Sequence, residues 1–159
     1  MQRTHPVDTP LRHAETRRSA AVLRVDSFWQ TAPVSITDGR YVLVVASERL
    51  AALSSTETAR AWVEAGASYI CAWGPDSREV EDTFDYASFL PEFGDPLSFT
   101  LMTTSHPDEA LDEALWFAFH NATAPDDLGE TLNSVVIVVD SDSLASRCLA
   151  WVQGLHTAS

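Results

Sequence analysis

Apolar positions along the chain gather into short, dense runs separated by stretches with helical spacing. Tyr41-Val42-Leu43-Val44-Val45-Ala46 and Ser134-Val135-Val136-Ile137-Val138-Val139 are almost unbroken and rich in β-branched residues. Strands that show no polar alternation are covered on both faces, as in a parallel sheet. Residues 68–73 and 98–103 read as two further strands. Helical signals lie between the runs. Ser54 and Glu57 stand three apart, the spacing of a capping box, and open a helix that Gly66 closes. Asp76 opens a second helical stretch, broken by Pro91, Gly94 and Pro96. Ser105 and Pro107 open a third, with Leu111, Ala114, Leu115, Ala118 and Phe119 on one stripe. A last helix places Ala145, Cys148, Leu149 and Val152 inward and stops at Gly154.

Strand followed by helix, four times over, predicts an α/β fold of right-handed βαβ units. The expected architecture is three-layer, with a mostly parallel sheet of four to five strands, Rossmann-like or flavodoxin-like. Residues 21–30 (AVLRVDSFWQ) supply the fifth strand or an extended arm, and Asp38-Gly39 marks a turn before Tyr41. Residues 1–20, polar and Arg- and Thr-rich, read as a flexible tail, which leaves 21–159 as a single domain.

Composition narrows the class. At 159 residues and 45% hydrophobic, the chain is long enough for one well-covered core. No apolar run approaches the ~20 residues that span a bilayer, and the first residues lack the apolar stretch of a secretory signal, so a cytoplasmic location away from membranes is expected. Two cysteines, each in an apolar pattern, read as free buried thiols.

Charge is uneven. Residues 1–40 carry six arginines against four acids, whereas residues 41–159 carry four arginines against nineteen acids. Phosphate backbones repel so acidic a body, which argues against nucleic acid and for a basic protein partner. All ten basic residues are arginine; there is no lysine.

Ligands of open α/β sheets bind beyond the carboxyl ends of the strands. The residues expected there are Glu48, Trp73, Asp76, Thr103, His106 and Asp140. Asp140 and Asp142, one residue apart at a strand end, together with Glu48, resemble the carboxylate set of a topoisomerase-primase (Toprim) site, which would hold Mg²⁺ for phosphoryl chemistry. Arg49 stands where that family has glycine, and capping of the last helix by Ser141 or Asp142 accounts for the same residues. Cys71 and His106 suggest a thiol and its base, but Cys71 lies within its strand and should face a covering helix. His106 and His120, read as the two ends of one helix, would be about 21 Å apart.

Several motifs are missing: GxGxxG after a strand, GxxxxGK[ST], and a GxSxG elbow. No cofactor is called for otherwise. On the third helix Asp108, Glu109, Asp112 and Glu113 lie away from the apolar stripe, with Trp116 and Phe117 three and four residues on from Glu113. Aromatics beside charge are common at interaction hot spots.

Residues 71–76 (CAWGPD) and 103–109 (TTSHPDE) resemble those of a family of small bacterial α/β proteins to which no function is assigned. The resemblance extends over about residues 41–155 and implies a bacterial, cytosolic origin. The function expected is therefore that of a non-catalytic interaction or regulatory protein, binding a partner through Asp112, Glu113, Trp116 and Phe117. The alternative is a metal- or nucleotide-dependent enzyme, or a small-ligand sensor, working at the strand ends.

Overall fold

The strongest apolar runs form the centre of the sheet. The computed structural model describes residues 11–36, 39–49 and 54–154. In chain order these form β1 (Leu11–Arg12), β2 (Ser19–Arg24), β3 (Tyr41–Ala46), α1 (Thr56–Ala65), β4 (Ala67–Trp73), α2 (Ser77–Phe89), β5 (Met102–His106), α3 (Leu111–His120), β6 (Ser134–Val139) and α4 (Asp142–Val152). Among the described residues the fold is mixed α/β, with four α-helices and a six-stranded sheet in the order β1-β2-β6-β3-β4-β5. All pairings are parallel except that of β1 with β2.

Every residue of β3 and β6 is buried, as their unbroken apolar sequences require. Alternate side chains supply two separate cores. Val42, Val44, Tyr69, Cys71, Val135 and Ile137 meet Leu111, Leu115 and Phe119 of α3 and Leu144 and Cys148 of α4. Leu43, Val45, Ile70, Val136 and Val138 meet Trp62 and Val63 of α1 and Phe84 of α2 on the other face, where Phe28 and Trp29 from the β2–β3 connection join them. Residues 21–30 are therefore strand and aromatic plug in succession.

Three elements differ from the expectation. The strand expected over 98–103 lies at Met102–His106 instead, because Phe99 is buried as a loop residue beneath the Arg40 guanidinium, 4.5 Å from its ring centroid. The α1 cap is Ser55, whose hydroxyl accepts from Thr58 N at 3.1 Å, while Ser54 donates to Glu79. The third helix begins at Leu111, which leaves Ser105 and His106 in the strand and removes the supposed helical path from His106 to His120.

Residues 11–20 of the expected tail belong to the folded body. β1 forms an antiparallel hairpin with β2, and Arg18 Nη1 reaches the Ala118 carbonyl of α3 at 3.0 Å. Residues 1–10, Asp38 and residues 155–159 lie outside the described residues.

Capping of α1 gives a direct check of this one-residue frame. Ser55→Ala is expected to cost about 1 kcal/mol in urea unfolding, and Ser54→Ala clearly less, since its hydroxyl serves an exposed carboxylate. Equal losses would contradict the assigned cap.

Candidate functional site

Strand order decides where a ligand crevice could open. From β3 the chain steps outward through β4 to β5, then returns to lay β6 on the other side of β3. The connections after β3 and β6 lead to helices on opposite faces, which makes the β3–β6 boundary the switch point.

Polar side chains at that boundary are bonded to one another. Ser47 Oγ donates to Asp140 Oδ2 at 2.6 Å, and Arg49 Nη2 donates to the Asp140 carbonyl at 3.4 Å. Glu48 lies 3.4 Å from Arg147 of α4. Asp142 lies 3.0 Å from Arg24 Nε, and Asp26 2.7 Å from Arg24 Nη1. Ser141 caps α4 by accepting from Leu144 N at 3.1 Å. Glu48, Asp140 and Asp142 are thus each directed at a different partner. Among the described residues, no three His, Cys, Asp or Glu side chains converge as metal ligands.

The neighbouring strand ends are laced together. Ser47 N donates to the Trp73 carbonyl at 3.2 Å, and Gly74 N to the His106 carbonyl at 3.4 Å. Gly74, at φ +118°, lets β4 turn so close to β3 that a Cβ there would sit 1.8 Å from the Ser47 carbonyl oxygen. Asp76 follows as the N-cap residue of α2.

Trp73 Nε1 donates to the Glu109 carbonyl at 2.8 Å, and the Glu109 carboxylate lies 2.9 Å from His106 Nδ1. His106 Nε2 is 3.1 Å from Thr104 Oγ1. A hydroxyl, an imidazole and a carboxylate are therefore in line, but the ring is buried against Phe117, with centroids 5.0 Å apart. Cys71, on the same face, is fully buried. Desolvation pushes its thiol up to about 12, so it is no nucleophile at neutral pH. Thr103, expected at the crevice, sits near the start of β5, where it donates to Asp85 of α2 at 2.6 Å.

Two grooves of about 400 and 420 Å³ flank the exposed side of α1 and share Glu57 and Ala61. The cation of the first, Arg60, is committed to the carbonyls of Ala87 and Asp95 and to Glu64.

A third groove, of about 340 Å³, runs between α3 and α4 and is lined by Asp112, Glu113, Trp116 and Trp151. Three of these belong to the surface expected from sequence; the fourth expected residue, Phe117, turns the other way, against Tyr69 and His106. One helical step separates the exposed ring from the partly buried one. Trp116 is 49% exposed, whereas Trp151 is 7% exposed and forms the floor.

Each indole is backed by an imidazole. Trp116 stacks on His120 at 4.4 Å and Trp151 on His13 at 4.9 Å, while the two imidazoles meet edge-on at 5.3 Å. Glu15 of the N-terminal hairpin lies 3.4 Å from His120. Sequence reasoning missed Trp151 and the hairpin, because nothing local ties residue 13 to residue 151. Among the described residues, neither Asp112 nor Glu113 has an ion-pair partner. The groove therefore offers one open indole face with unneutralised carboxylates three and four residues before it on the same helix.

No helix among the described residues is long and apolar enough to cross a membrane. Residues 20–154 match the family described as Domain of unknown function (DUF7684), and the chain belongs to that family. No curated protein and no solved structure matches the chain.

Proposed function

For this member of a family without an assigned activity, we propose a non-catalytic interaction or regulatory role in the bacterial cytoplasm: a three-layer, Rossmann-like body that holds a basic protein partner on its acidic helical surface. The observation that carries this reading is the α3–α4 groove, with the half-exposed Trp116 beside Asp112 and Glu113. An indole face attracts a guanidinium or ammonium group, and carboxylates at its rim add Coulomb attraction. A net charge of −13 steers basic partners toward this surface and repels nucleic acid.

The strand-end reading as an Mg²⁺ or nucleotide enzyme is supported less well, because Glu48, Asp140 and Asp142 are each directed elsewhere. Thermal stabilisation by Mg²⁺ that vanishes in Asp140→Ala would reverse this preference.

The test uses a defined probe, an arginine-containing tripeptide amide too short to form a strand. Trp116→Ala is expected to weaken its binding about tenfold or more while leaving the urea midpoint close to wild type, since the ring is half exposed. Asp112→Asn with Glu113→Gln should weaken it similarly and flatten its salt dependence. Unchanged affinity in folded variants would remove the groove from the argument.

A further inference from the structure

We propose that the open edge of the sheet, β5, takes up an extended segment of a protein partner that carries cationic side chains at alternate positions. This site lies beside α2 and is independent of the α3–α4 groove.

At its inner side β5 pairs with β4; among the described residues no strand pairs with its outer side. The His106 carbonyl points to β4, where it accepts from Gly74 N. Backbone groups alternate along a strand, so the N–H and C=O of Thr103 and Ser105 point outward. An unpaired edge of this kind is a template for strand addition.

Chemistry above the edge selects the incoming residues. The side chains of Thr103 and Ser105 rise toward α2, where they donate to Asp85 at 2.6 Å and to Glu81 at 3.3 Å. Two residues of strand therefore span the same distance as four residues of helix, about 6.6 Å against about 6 Å. A strand laid outside β5 presents its own alternate side chains to the same helix at the same interval. Glu81, Asp82 and Asp85 have no ion-pair partner among the described residues. Burial and the neighbouring Asp85 charge push the Glu81 carboxyl up, as expected where negative charge is crowded and short of cations.

Cations two residues apart would meet this row. Beyond it, Tyr86 and Phe89, 51% and 63% exposed with ring centroids 6.0 Å apart, offer apolar contact. A second copy of the chain is the poorer occupant, because it would set the same carboxylates against each other.

The experiment adds a short peptide alternating arginine and valine to the full chain and follows backbone amide exchange. Exchange at Thr103 and Ser105 is expected to slow, and Glu81→Gln with Asp85→Asn to weaken binding about tenfold. The same peptide with N-methylated backbone keeps its charge but cannot pair with an edge, and should protect the two amides only at concentrations at least about tenfold higher. Exchange at Thr103 and Ser105 reads the edge itself, so binding of the same peptide in the α3–α4 groove does not enter the measurement. Equal protection of both amides by the N-methylated peptide, or unaltered exchange with the unmodified one, would overturn the proposal. Sedimentation showing a dimer that dissociates in Thr103→Pro would overturn it in favour of self-pairing.

Discussion

Between about pH 8.5 and pH 12 the protein is expected to lose stability steeply, and a variant carrying Cys71→Ala and Cys148→Ala to lose it less. Burial pushes both thiols up to about 12, against about 8.5 in an unfolded chain. Below the unfolded value both states hold the proton, and the full contribution is present. As pH rises past it, the unfolded chain releases thiol protons first and binds fewer than the native state, so the unfolding free energy falls until the native thiols themselves titrate. A shift of this size corresponds to about 5 kcal/mol per thiol, so by about pH 10.5 roughly half of that should be gone. Urea unfolding at a series of pH values measures it. Tyr41 and Tyr69, also raised by burial, leave the variant with a shallower slope of the same sign. Parallel curves for wild type and variant would refute thiol burial as the cause. Native alkylation by iodoacetamide at pH 8 should be slower than in urea by a factor of about 1,000, in line with the scarcity of thiolate.

Gly74→Ala is expected to cost about 3 kcal/mol or more. Two effects add. An L-residue at φ +118° is strained by about 1–3 kcal/mol wherever it sits. In addition, the new methyl group would lie 1.8 Å from a backbone oxygen, that of Ser47, which cannot swing aside as a side chain would. Relief requires parting the ends of β3 and β4, breaking the bond from Ser47 N to Trp73 and displacing the hydroxyl held by Asp140. Gly129, at φ +78° with nothing within 4 Å, provides the control: its alanine variant carries strain without collision and should lose only about 1 kcal/mol. Equal losses at the two positions, by urea unfolding, would contradict a steric cost from the close approach at Gly74.

Legibility of this fold follows from which elements declare themselves locally. β3 and β6 are apolar on both faces because they are central, and helices over both faces leave no room for alternation. Their composition alone therefore located them. β5 carries Met-Thr-Thr-Ser-His. As an edge strand whose hydroxyls serve carboxylates of α2, it has no reason to look like a strand, and the more apolar Phe99 and Leu101 drew the assignment toward residues 98–103. The hairpin at residues 11–19 was hidden for another reason: it is polar, and its anchors are an imidazole on Trp151 and a guanidinium on Ala118, contacts made across 100 positions or more.

The candidate sites divide in the same way. Spacing alone put acids and aromatics on one helical face but could not choose between adjacent rings, and only the packing of Phe117 on Tyr69 settles that Trp116 is the outward one. At the strand ends, sequence supplied the right residues without their partners. Arg24, Arg147 and Ser47 come from elements distant in the chain, so no motif could reveal that the three carboxylates are directed apart.

The position of β6 has a consequence for how the molecule comes into being. Among the described residues its six are the last to be added to the sheet, yet they alone join β2 to β3. Until they emerge from the ribosome, the β1–β2 hairpin and the β3-β4-β5 ribbon are two fragments with no ladder between them, each exposing a long greasy edge. Assembly must wait for a keystone made after the other described strands, a non-local closure that slows folding. A nascent chain that stops short of Ser134 should be recognised by chaperones as unfinished.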